Sequence, residues 1–178
     1  TYQFKIRQNG TYWYHAHSNG QEQDGLYGAL VIAPKSASTK PDHDEVILLS
    51  DYSKEKSSDI LANLKMSSDY YQYSRRTIGD FFRSVQEKGF KAAFDDSTMW
   101  GQMRMLPTDL SDVSQYNFLV NGKTPDQNWT GKIKQGDTTR LRVINGSAMT
   151  LFDVRIPGLK LKVIAADGQP VEPLDVDE

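Results

Sequence analysis

The sequence predicts a mainly β fold, a sandwich of short strands interrupted by one helical stretch. Three observations predict it. Apolar and aromatic residues fall in short alternating bursts divided by glycines and polar residues, as in YQFKIR, TYWYHAH and YGALVIA. In the C-terminal half, β-rich runs are separated by turns at about every 10 residues, a spacing that suits a sandwich or small barrel. Between these regions, from Lys56 to Lys88, the apolar period lengthens to that of a helix.

Each element follows in order. Thr1 to Pro34 reads as three strands with tight connections, the first of them TYQFKIRQ. PKSASTKPDHDE, rich in Ser, Thr, Pro and charge, reads as a connecting segment that leaves His43 exposed. EVILLSDY is a short buried strand. Ile60, Leu61 and Leu64, then Ile78, Phe81, Phe82 and Val85, mark two helices. Ser57 or Ser58 is placed to cap the first, Thr77 with Asp80 to cap the second, and Gly89 to end it. STMWGQMRM suggests a further helical turn. YNFLVNG, TTRLRVIN, TLFDVRI and KLKVIAADG read as strands, the last closing on Asp-Gly, a strong turn signal. With EVILLSDY that makes about five strands, fewer than the roughly seven of a closed sandwich. The organisation expected is therefore a partial β-domain over residues 1–34, a linker over 35–44, and a second β-domain over 45–178 that is truncated at its C-terminal end and carries a helical insertion at about 56–106.

Composition narrows the chemistry. The chain has 178 residues and a net charge of −2, which gives no electrostatic case for nucleic acid or an anionic membrane. There is no cysteine, so disulfides and thiolate chemistry are excluded within it. No apolar run approaches the roughly 18 residues of a membrane span. The first residue is Thr1, inside an expected strand, so the sequence is expected to be a piece of a longer protein, and a missing export signal carries no weight.

Of the three histidines, two stand one residue apart in GTYWYHAHSNGQEQDGLYGALVI. On a strand, residues i and i+2 share a face and lie about 6.5–7 Å apart. Thr11, Trp13, His15 and His17 would then line one face, with Tyr12, Tyr14 and Ala16 on the other. Two imidazoles on a rigid strand suit a transition metal such as Cu, Zn, Fe or Ni. Their spacing suits two neighbouring ions, one imidazole each, and two ligands do not complete a site. Surface or hydrogen-bonded core imidazoles are the ordinary alternative.

The longer string resembles the second His-x-His motif of multicopper oxidases, through Gly10, Thr11, Trp13, Tyr14, His15, His17, Gly25, Leu26, Gly28 and Ile32. SDYYQYSRRTIGDFF, MWGQMRMLPTDLSDV, FLVNGKTPDQNWTG and LRVINGSAMTLFDVRIPGLKLKVIAADGQPVEP are similar to the bacterial copper-resistance (CopA-type) members of that family, so the resemblance covers essentially the whole chain. It implies a cupredoxin-like Greek-key β-sandwich, with this chain forming the end of domain one and most of domain two. It implies that His15 and His17 are type 3 copper ligands, each on a different copper of a trinuclear cluster completed by motifs this chain lacks. It implies a periplasmic oxidase that couples one-electron oxidation of Cu(I) or phenolic compounds to four-electron reduction of O₂ to water. The partners implied are O₂, the reduced substrate and the remaining cupredoxin domains, and this piece alone is expected to be inactive. The competing reading is a periplasmic copper-sequestering protein without oxidase turnover.

Other residues stand beside the pair as candidates. Trp13 and Tyr14 either orient the imidazoles or simply pack. Gln21, Glu22 and Asp24 either orient a ligand or relay protons, or belong to a solvated loop. Met99, Met103 and Met105 offer soft thioethers that suit Cu(I) docking, against the plainer role of filling gaps. Arg140, Arg142 and Arg155 are placed for interdomain ion pairs or for a solvated sheet face. Asn128-Trp-Thr matches a glycosylation acceptor and is expected to be an ordinary turn.

Overall fold

A computed structural model describes residues 1, 3–36, 40–67, 70–71, 77–103 and 116–177, with the side chains of 100–103 left aside. The chain divides into two compact units, residues 1–58 with 116–178, and residues 59–115.

Among the described residues, the first unit holds seven strands in three small sheets. β1 (Gly10–His15) and β2 (Tyr27–Ile32) form an antiparallel pair in which Gly10 faces Ile32 and His15 faces Tyr27. β3 (His43–Tyr52) lies between β4 (Asn117–Val120), antiparallel, and β5 (Thr139–Asn145), parallel. β6 (Leu161–Ala166) and β7 (Gln169–Val176) form a hairpin. Its turn is Asp167-Gly168, with φ of 47° and 76°, the left-handed pair that an Asp-Gly hairpin uses.

β3 carries the best-buried positions of this unit. Leu49, Ser50 and Asp51 are buried on it, with Ile144 on β5. A buried carboxylate needs donors. Asp51 accepts from the Ala148 N–H at 3.1 Å and the Thr150 hydroxyl at 2.6 Å. Beyond the end of β4, the Asn121 side chain takes over the edge of β3, accepting from the Leu48 N–H and donating to the Val46 carbonyl, each at 2.8 Å.

The second unit is helical. α1 (Ser57–Met66) begins at the end of the first unit and runs into it. α2 (Ile78–Lys88) opens on a capping box: the Asp80 N–H donates to Thr77 Oγ1, and the Thr77 N–H donates to Asp80 Oδ2. Gly89 ends it at φ 83°. α3 (Phe90–Met103) follows at once. Phe81 meets Phe90 edge-on, with centroids 6.2 Å apart.

Several expectations are corrected. Residues 3–9 form no strand, and Phe4 and Ile6 are exposed; alternation alone makes no strand without a neighbour to accept its hydrogen bonds. Residues 150–156 form none either. β7 was not expected; a strand in a two-stranded ribbon has one unpaired edge, where a proline's missing N–H costs nothing, and Pro173 falls in the stretch opposite the register shift between Val163 and Ala165. The helix around Met99 is not a single turn but starts at Phe90. His43 and Asp44, assigned to the connecting segment, belong to β3.

Candidate metal centre

β1 carries rings on both faces, two apart, as the strand period requires. Tyr14 lies over its register partner Gly28, where an added Cβ would come within 2.6 Å of the ring. On the opposite face the Trp13 indole stacks on the His15 imidazole, with centroids 4.1 Å apart and 7° between the planes. The His17 ring follows at 4.5 Å, tilted by 38°. His17 lies just past the last residue of β1, and the pairing continues as far as the Ala16 N–H, which donates to the Leu26 carbonyl at 3.0 Å. Trp13, His15 and His17 therefore form one row.

The two imidazoles differ in their surroundings. His15 is half-buried, and its Nδ1 lies 2.6 Å from Glu22 Oε2. An ionised carboxylate only accepts, so Nδ1–H donates, and in the neutral ring it is Nε2 that keeps the lone pair. His17 is exposed, and neither of its ring nitrogens has a hydrogen-bond partner among the described residues.

The loop between β1 and β2 sets this arrangement. It closes through Leu26 N–H to Gln21 C=O at 2.8 Å and Gly25 N–H to Glu22 C=O at 3.0 Å. Three consecutive side chains then point three ways. Glu22 holds His15. Gln23 donates to the Tyr116 hydroxyl at 2.5 Å. Asp24 accepts from both the Ser57 N–H and the Ser57 hydroxyl, each at 2.9 Å. Burial pushes the Tyr116 phenol above its ordinary value; the Gln23 hydrogen bond opposes this and the Asp51 charge adds to it. The phenol therefore stays neutral at physiological pH. Glu22 and Asp24, read from sequence more readily as solvated, are both engaged, and Gln23 was not singled out at all.

The other named residues lie elsewhere. His43 is not a free linker residue: its Nε2 is 2.8 Å from Asp137 Oδ2. That carboxylate also accepts from the Lys134 N–H, and the two bonds, the backbone one first, hold Asp137 below the usual carboxylate range. Met99 is exposed on α3, the Met103 side chain is not described, and Met105 lies outside the described residues. Arg142 grips Asp44 with two bonds of 2.6 and 2.7 Å and donates to Thr11 at 2.7 Å. Arg155 makes no ion pair among the described residues.

The donor set fits part of a copper site. Two imidazoles share a face, one of them backed by a carboxylate on its far nitrogen, as metal-ligating histidines usually are. Among the described residues no three His, Asp or Glu side chains gather as a metal site, so further ligands would have to come from elsewhere.

Two multicopper oxidase family models match, one over residues 43–178 and one over residues 1–37. The chain belongs to the multicopper oxidase family, and its class is the β-rich, cupredoxin-like one. It is 53% identical to copper resistance protein A of Pseudomonas syringae pv. tomato and 52% identical to that of Escherichia coli, in each case over 99% of this chain and 30% of the relative. It is 33% identical to laccase-3 of Thanatephorus cucumeris, over 96% of this chain and 25% of the relative. The chain thus spans about 30% of the length of the copper-resistance relatives it matches.

Proposed function

We propose that the chain is part of a copper-dependent oxidase in copper resistance, one that couples one-electron oxidation of Cu(I) or a phenolic substrate to four-electron reduction of O₂ to water. His15 and His17 are its type 3 copper ligands in this chain. The observation that carries the reading is the pair of imidazoles 4.5 Å apart on one face, with His15 Nε2 left free by Glu22. Family membership and the likeness to copper resistance protein A support it. Bound copper would supply redox chemistry by cycling between two oxidation states. The chain's own residues do the rest: β1 sets the spacing of the rings, Trp13 covers one face of His15, and Glu22 holds its far nitrogen. The remaining ligands come from other cupredoxin domains of the parent, with residues 1–34 ending the first domain and 45–178 forming most of the second. The parent works in the periplasm. No described helix is long and apolar enough to cross a membrane.

The test uses the full-length protein, with O₂ uptake measured on Cu(I) and on a phenol. His15→Ala and His17→Ala each abolish uptake while the type 1 colour survives. Retained uptake in both variants overturns the ligand assignment. An intact copper complement without O₂ uptake in the native protein supports sequestration instead. Met99, Met103 and Met105 are proposed to dock Cu(I): Met99→Leu with Met103→Leu raises the apparent KM for Cu(I) and leaves phenol oxidation unchanged. An unchanged KM for Cu(I) leaves them a packing role only.

A further inference from the structure

A strand fixes where an imidazole starts, not which nitrogen it offers. Two further constraints are needed, one on the plane of the ring and one on its tautomer. His15 has both. Trp13 lies parallel to it at 4.1 Å and sets the plane. Glu22 Oε2, 2.6 Å from Nδ1, sets the tautomer and the rotation within that plane. The distance is that of a short, charge-assisted bond, and both side chains are more than two-thirds buried, at 25% and 29% exposed. Glu22 is itself held, because the next two residues in sequence, Gln23 and Asp24, are tied down on Tyr116 and Ser57. His17 has no such partner among the described residues.

We propose that Glu22 is a positioning residue for His15: its carboxylate locks the ring as the Nδ1–H tautomer, so that Nε2 is the donor offered to metal, and it does nothing of the kind for His17. The inference rests on the reading of His15 as a copper ligand. The two imidazoles of the pair are then not equivalent, and a lesion at Glu22 acts on one ligand only.

The full-length protein, stripped of copper and labelled with ¹⁵N-histidine, reports the tautomer directly by NMR. In the native protein the His15 proton sits on Nδ1. Glu22→Ala gives a mixture of tautomers. Glu22→Gln, whose side-chain carbonyl still accepts, restores the native form. Copper titration then shows a loss of affinity of about 10- to 100-fold at one site in Glu22→Ala, the usual size for losing the partner of a metal-bound histidine. The type 3 near-ultraviolet absorbance falls with it, and Glu22→Gln recovers most of both. A native His15 protonated on Nε2 overturns the proposal, as does a Glu22→Ala protein with native tautomer and native copper content. His15→Ala separates the two readings. If it keeps its full copper, the ligand assignment itself fails. If it loses copper while Glu22→Ala does not, the ligand assignment stands and the role of Glu22 falls.

Discussion

Asp44 shows how one carboxylate of this chain is tuned. The two hydrogen bonds from Arg142 hold it below the usual aspartate range; partial burial opposes this, and the charges of Arg142 and Arg140 add to the lowering. A carboxylate with a depressed folded-state pKa contributes stability that is fully present above its unfolded value, about 4. That contribution is lost as the pH falls through the lowered folded-state value. Asp44→Asn should therefore lower the thermal midpoint at pH 7, and the gap from the native protein should close in strong acid. Because the Asp44 side chain is 38% exposed, solvent screens the pair and the gap at pH 7 is modest. A gap that persists undiminished in strong acid means the pair does not set it. The sequence marked Arg142 as charged and on a strand, but neither Asp44 nor Thr11 as its partner. Those contacts span 98 and 131 residues, and no local pattern encodes them.

Elements were legible where their signals were local. The capping box is read from Thr77 and Asp80 alone, because both partners lie within one turn. Thr77→Ala should cost about 1 kcal/mol of helix stability. Amide exchange in the first turn of α2 should quicken accordingly, with α3 unchanged; equal exchange in both proteins would show the cap to be idle. The Asp167-Gly168 turn and the His-bearing β1 were legible for the same reason. The run TYQFKIRQ misled over residues 3–8 because period two reports a preference, and only a neighbouring strand turns it into a sheet. β7 was hidden by Pro170 and Pro173, whose cost depends on which side of the ribbon is free. At the candidate site, His15 and His17 were visible as a pair, and the family resemblance sharpened their role. The individual tasks of Glu22, Gln23 and Asp24 were not visible, because a loop's side chains take their meaning from residues 7, 93 and 33 positions away.

At the scale of the molecule, the histidine strand is fixed to the rest of the first unit at both ends. At the far end from His15, Arg142 on β5 reaches Thr11 on β1 while gripping Asp44 on β3, so one guanidinium joins the two-stranded sheet to the three-stranded one. At the near end, Gln23 and Asp24 hold the loop that carries Glu22. The Arg142 side chain is only 12% exposed and its bond to Thr11 is partly buried, while the pair with Asp44 is screened through the more exposed carboxylate. Removing it should destabilise the unit by on the order of 2 kcal/mol, the scale of hydrogen bonds to a charged group. Arg142→Lys is the sharper variant. It keeps the charge and loses the planar fork that serves two partners at once. If the fork is what anchors β1, Arg142→Lys in the full-length protein should behave nearly as Arg142→Met, lowering the thermal midpoint and weakening copper retention together. Thr11→Val, which removes only the β1 contact, should reduce copper retention with a smaller loss of stability. If Arg142→Lys matches the native protein on both counts, charge alone suffices and β1 draws its position from packing.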